Sequence, residues 1–225
     1  MALATVRTDR QAVTVAAHTA TRCCSHTDCA HCHAMRCCML RRQYGDPMPE
    51  ADAVALIKAV YDAGITFWDS AEAYKCQKAD GSTLYNESVL GTAIKSLGLP
   101  REELQLATKY MPSFHGDTMT PETCLAAAKA SCDRLGVESL DLYYVHRFHS
   151  KVPVQEQAQA MLAVKEAGLA KCIGVSEFAP RSLREFHAIC PVTCIQNEWS
   201  LLNRDLEAEL VPTCRELGIG IVACE

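Results

Sequence analysis

The chain has 225 residues, 49% hydrophobic and 22% charged, with 22 Lys and Arg against 27 Asp and Glu for a net charge of −5. These fractions match ordinary globular usage and exclude a disordered, collagenous or coiled-coil chain, while an α/β barrel of about 250 residues would use nearly all of the length. No apolar run approaches the roughly 18 to 20 residues that a membrane span needs, and neither a membrane nor a nucleic-acid partner is expected.

Residues 1–43 differ in kind from the rest. They hold six Arg and no Lys, six of the fourteen Cys and four of the eight His, the latter two gathered largely as Cys23-Cys24-x-His26-x2-Cys29-x-His31-Cys32-His33-x3-Cys37-Cys38. Soft ligands at spacings such as Cys29-x2-Cys32 suit zinc, but the paired doublets of a zinc module and the loop between them do not appear, so no metal site is assigned. An unstructured or processed leader is the simpler reading, loosely like an organelle transit peptide in its Arg-rich, acid-poor composition. The other eight Cys stand singly, mostly in apolar stretches, as reduced thiols of an intracellular protein would, and a cytoplasmic location is expected, or an organelle if the leader directs transit.

From Pro49 the pattern alternates between helix and strand. A helix opened by Pro49 stops at Gly64 and is followed by strand Ile65 to Asp69; a second runs from Asn86 to Leu97 with Gly98 as its stop, before strand Leu104 to Lys109. Thr120-Pro121 launches a third helix, to Leu135, and strand Leu140 to Val145 comes next. A helix from Val154 to Ala167, strand Cys172 to Val175, a short helix from Pro180 to Ala188 and strand Thr193 to Gln196 continue the rhythm. A last helix, Asp205 to Leu217, is predicted to be interrupted at Pro212 before strand Gly220 to Cys224. Six apolar strands separated by amphipathic helices predict a parallel sheet. Neither G-x-G-x-x-G nor G-x4-G-K-[ST] follows any strand, which favours a closed β/α barrel over an open nucleotide-binding sheet.

In such a barrel the chemistry sits at the carboxyl ends of the strands. The polar residues there are Asp69 with Tyr74 five positions on, Lys109, His146, Ser176 and Gln196. Singly, each has a structural explanation: Asp69 as a turn cap, Tyr74 as a loop aromatic, Lys109 as a solvated strand end, His146 as a satisfied core histidine, Ser176 and Gln196 as ordinary hydrogen-bonders. Four such residues at consecutive strand ends form a constellation. The strand ends lack an H-x-H ligand set, which argues against a metal-dependent hydrolase.

Asp69-Ser-Ala-Glu-Ala-Tyr74, Thr108-Lys109 and Asp141-Leu-Tyr-Tyr-Val-His146-Arg147 resemble the Asp, Tyr, Lys, His tetrad segments of the aldo/keto reductase superfamily. Gly174-Val-Ser176, Gln196 to Arg204 and Pro212 to Val222 extend the resemblance over roughly Tyr44 to Ala223, and Leu-Asp-Leu-Tyr-Tyr-x-His-Arg is similar to the branch with pyridoxal-reductase-like and auxin-induced-type members. The resemblance implies a (β/α)8 TIM barrel over 44–225 and NADP(H)-dependent reduction of a small aldehyde or ketone. It implies Tyr74 as general acid, Lys109 and Asp69 as its supports, His146 on the carbonyl oxygen, and Ser176 and Gln196 on the nicotinamide carboxamide. The alternative it carries is a non-catalytic interaction protein, since the superfamily includes cytosolic channel subunits.

Two stretches depart from the family pattern. Arg36 to Arg42 does not match its first strand, and the sequence ends at Ala223-Cys224-Glu225, with Cys224 where the tyrosine that stacks on the nicotinamide is expected. The expectation is therefore an incomplete barrel of about six recognisable strands, binding the dinucleotide weakly. Substrate and oligomeric state are not legible.

Overall fold

The computed structural model describes the backbone of Ala34–Arg36 and residues 48–78 and 80–224. The Cys and His cluster at 23–33, with Cys37 and Cys38, lies outside the described residues, and so does its zinc reading. In chain order the elements are β1 Ala34–Arg36, α1 Glu50–Asp62, β2 Phe67–Asp69, β3 Lys75–Gln77, β4 Thr83–Tyr85, α2 Asn86–Leu97, β5 Gln105–Tyr110, α3 Pro121–Leu135 and β6 Leu140–Val145. Then follow α4 Val154–Glu166, β7 Ala170–Ser176, α5 Pro180–His187, β8 Val192–Glu198, α6 Leu210–Leu217 and β9 Gly220–Cys224.

The helices begin and end where their local chemistry dictates. Pro121 sits in the first turn of α3, where its missing N–H is not needed, and the Thr120 hydroxyl accepts from the Thr123 N–H at 3.3 Å. The helix stops at Gly136, whose φ of +71° lies in the left-handed region that glycine enters without a Cβ clash. The last helix differs from expectation. Pro212 does not interrupt it but lies in the first turn of α6, and the preceding Asp205–Glu207 forms a separate 3-10 turn. A proline at that position removes an N–H that has no intrahelical partner anyway.

Seven strands pair in parallel in the order β1-β2-β5-β6-β7-β8-β9, while β3 and β4 form a separate antiparallel hairpin. The place beside β2 is taken by Ala34–Arg36, with Arg36 in register with Asp69. That strand and the hairpin are absent from the expected six, because three-residue strands are too short to show a period. Among the described residues β1 and β9 are the edges of the sheet.

The sheet is curled. Four strand spacings separate β2 from β8, about 19 Å in a flat sheet, yet Gln196 Nε2 on β8 donates to Asp69 Oδ2 on β2 at 3.1 Å. Only a sheet bent into a part-barrel, an incomplete (β/α)8 barrel, brings those two side chains together. Its outer face, including Trp68, Leu106, Tyr143 and Ile195, packs against the helices in one large apolar cluster. The inner face holds a smaller one of Ala107, Leu142, Tyr144, Cys194 and Val222. No helix among the described residues is long and apolar enough to cross a membrane.

Candidate active site

Strand alternation turns Asp69 and Lys109 into the barrel, and both are fully buried. Lys109 Nζ donates to Asp69 Oδ1 and Oδ2 at 2.7 and 2.6 Å and to the Ser70 carbonyl at 2.8 Å, using all three ammonium hydrogens. The readings of Lys109 as a solvated strand end and of Asp69 as a turn cap therefore fail. A desolvated pair of this kind is stable only when both partners are present and hydrogen-bonded, which this geometry satisfies.

Around the ammonium stand two tyrosines. Its nitrogen lies 5.3 Å from the Tyr74 ring centroid and 5.6 Å from that of Tyr144. Tyr144 is entirely buried, its hydroxyl 3.3 Å from Cys194 Sγ. Burial raises its pKa well above the phenol range and pushes the Cys194 thiol up to about 12, so both remain neutral furnishings of the barrel interior. Room for the Tyr144 ring comes from Gly174 on the neighbouring strand, where a Cβ would stand 2.5 Å from Cδ1 and Cε1 of that ring. Tyr74, by contrast, is half-buried, and its ring meets the half-buried His146 edge-on, with centroids 5.8 Å apart and planes at 88°. Asp69, Tyr74, Lys109 and His146 thus gather at the carboxyl ends of β2, β5 and β6.

Ser176 and Gln196 lie opposite each other in the β7–β8 register and are nearly buried. Gln196 has its amide nitrogen committed to Asp69, which fixes the amide orientation and leaves its oxygen as an acceptor. The following Glu177 adopts φ of +58° and donates its N–H to the Gln196 carbonyl at 3.2 Å. Asparagine takes up such a left-handed turn more readily than glutamate, so Glu177 is held there at some conformational cost.

Several residues beside these carry no sequence signal of their role. The Ser70 hydroxyl donates to Asn86 Oδ1 at 2.7 Å, tying the end of β2 to the first residue of α2. On the outer face the Thr108 hydroxyl donates to Glu87 Oε1 at 2.6 Å, and Arg134 Nε donates to Glu87 Oε2 at 2.5 Å. Glu72 is nearly buried, and burial raises its carboxyl pKa against the opposing pull of the Met111 N–H and His115. An acid in the first turn of a helix, such as Glu87, is an ordinary helix-start residue in sequence. Only the packing of α2 on α3 and β5 shows it buried. Among the described residues no group of His, Cys, Asp and Glu is arranged to hold a metal ion.

Residues 38–225 match the aldo/keto reductase family. The chain is 42% identical over 191 residues to "Probable aldo-keto reductase 1" of Glycine max, covering 83% of this chain and 53% of that protein. It therefore spans about half the length of this curated relative. Among solved structures it is similar to a thermostable aldo-keto reductase crystallised with the inhibitor epalrestat, at 29% identity and a TM-score of 0.67, covering 77% of this chain and 60% of that one. The fold is shared with the glycerol dehydrogenase of Gluconobacter oxydans at 24% identity and a TM-score of 0.69, over 84% and 58% of the two chains. With the match running over most of its length, the chain belongs to the aldo/keto reductase family.

Proposed function

We propose that the protein is an oxidoreductase that reduces an aldehyde or ketone to the alcohol with NADP(H), residues 44–225 carrying the chemistry. The observation that supports this best is the Lys109 ammonium, buried, held by both oxygens of Asp69 and set 5.3 Å from the Tyr74 ring. Ser176 and Gln196 suit a nicotinamide carboxamide, the serine hydroxyl for its oxygen and the glutamine oxygen for its N–H. When bound, the reduced dinucleotide supplies the hydride to the carbonyl carbon.

Tyr74 delivers the proton to the carbonyl oxygen. Negative charge builds on the phenol oxygen as that proton leaves, and the Lys109 ammonium, 5.3 Å from the Tyr74 ring centroid, stabilises it in the transition state. Asp69 keeps that ammonium in place, and its charge is shared over two short hydrogen bonds. His146, beside the phenol, donates a hydrogen bond to the same oxygen and orients the substrate. Cys76, Cys124, Cys132, Cys172, Cys190, Cys194 and Cys214 are free thiols, in keeping with a reducing, cytoplasmic setting.

The test is Tyr74→Phe. Carbonyl reduction followed by NADPH oxidation should fall by about 10²–10⁴-fold, the usual worth of a general acid, while NADPH binding by fluorescence titration stays within twofold. Near-normal turnover in the variant would remove Tyr74 from the chemistry.

A further inference from the structure

Past the end of β2 the chain goes on exchanging hydrogen bonds with β5. The Ser70 N–H donates to the Ala107 carbonyl at 2.8 Å and the Glu72 N–H to the Lys109 carbonyl at 3.4 Å. In a parallel ladder the next bond would run from the Met111 N–H to the backbone carbonyl of residue 72. Here the Met111 N–H donates instead to Glu72 Oε1, at 2.5 Å. The side chain takes the rung that the backbone would have filled, and the backbone turns away. That turn closes with the Tyr74 N–H on the Ala71 carbonyl at 3.0 Å, and the Tyr74 carbonyl accepts from the Asn86 N–H at 2.8 Å.

The same carboxylate reaches a second element. Both its oxygens lie 3.1 Å from His115 Nε2, and the His115 ring stacks on Tyr110 with centroids 4.7 Å apart and planes at 10°. One side chain thus joins the segment bearing Tyr74 to Met111, two residues after Lys109 and next to the end of β5, and to the turn that follows it. A carboxylate only 5% exposed is an expensive way to fill space, and an apolar side chain would pack there at less cost.

We propose that Glu72 is a positioning residue, a side-chain rung that ends the β2–β5 ladder and sets Tyr74 against Lys109. The role given to Tyr74 rests on the reductase reading; the tether itself does not. Glutamine at position 72 keeps an acceptor for the Met111 N–H, whereas alanine leaves that N–H to water.

The experiment compares Glu72→Ala and Glu72→Gln in the full chain by amide hydrogen exchange and by steady-state kinetics. In Glu72→Ala the Met111 amide should exchange at least tenfold faster, and the amides of 72–75 faster too, with those of α4 unchanged as a control for folding. The kcat for carbonyl reduction should fall at least tenfold while the KM for NADPH stays within twofold, and Glu72→Gln should recover most of both losses. Met111 exchange as slow in Glu72→Ala as in the unsubstituted protein overturns the tether, even where Tyr74→Phe has upheld the reductase reading. A kcat unchanged in Glu72→Ala overturns the positioning role. If the unsubstituted protein and Tyr74→Phe are equally inactive on carbonyls, the reductase reading falls, and Met111 exchange alone decides the tether.

Discussion

On β5, Leu106, Thr108 and Tyr110 face the helices while Ala107 and Lys109 face the barrel interior, and the two sets are packed by different rules. The outer set joins a continuous apolar layer with Ile57, Leu90 and Phe186, and the buried Glu87 beside it is matched by Arg134 and Thr108. The inner set has little apolar material and places a desolvated ion pair where apolar side chains would stabilise more. The outer face therefore carries most of the stability, and the inner face spends some of it on holding charge at the strand ends.

Substitutions on the two faces should separate these roles. Asp69→Ala strips Lys109 of its counter-charge inside the barrel and should cost roughly 3–5 kcal/mol as well as carbonyl reduction, measured by urea denaturation and NADPH oxidation. A loss below 1 kcal/mol would mean that water reaches the pair. Leu106→Ala, on the outer face of the same strand, should destabilise by about 2–5 kcal/mol and leave kcat within twofold. A large fall in kcat there would break the division between the faces. Gly174→Ala sets a Cβ 2.5 Å from the Tyr144 ring and should cost about 1–3 kcal/mol. Because Tyr144 lies against Lys109, this inner-face change should also lower kcat, and an unaffected kcat would show that Tyr144 is only filling.

Much of this arrangement is legible along the chain. Helix α3 begins at Thr120-Pro121, α5 begins at Pro180 and α2 stops at Gly98, as the sequence places them, since caps, first-turn prolines and terminal glycines act within a few residues. The alternation of strand and helix is enough to give a parallel sheet. Misses fall where the signal is short or non-local: a three-residue strand at Ala34–Arg36, a hairpin of two three-residue strands, and a proline whose effect depends on whether it lies in a helix's first turn or its middle. Glu72 stands in plain view inside the Asp69 to Tyr74 segment, yet nothing in its neighbours marks it as a ladder rung.

Residue order by itself placed the polar groups within two residues of each strand's end, because a period of two is a property of the local chain, although β5 runs on to Tyr110 and β8 to Glu198. Their meeting was another matter. Lys109 finds Asp69 from 40 residues away, and Gln196 finds it from 127. Such contacts form only after parallel strands have twisted and curled, with side chains of alternate residues turned to a shared interior. The same curl removes water from the pair, so the charge that sequence presents as a solvated lysine becomes, in the folded chain, a buried ammonium fixed beside a tyrosine.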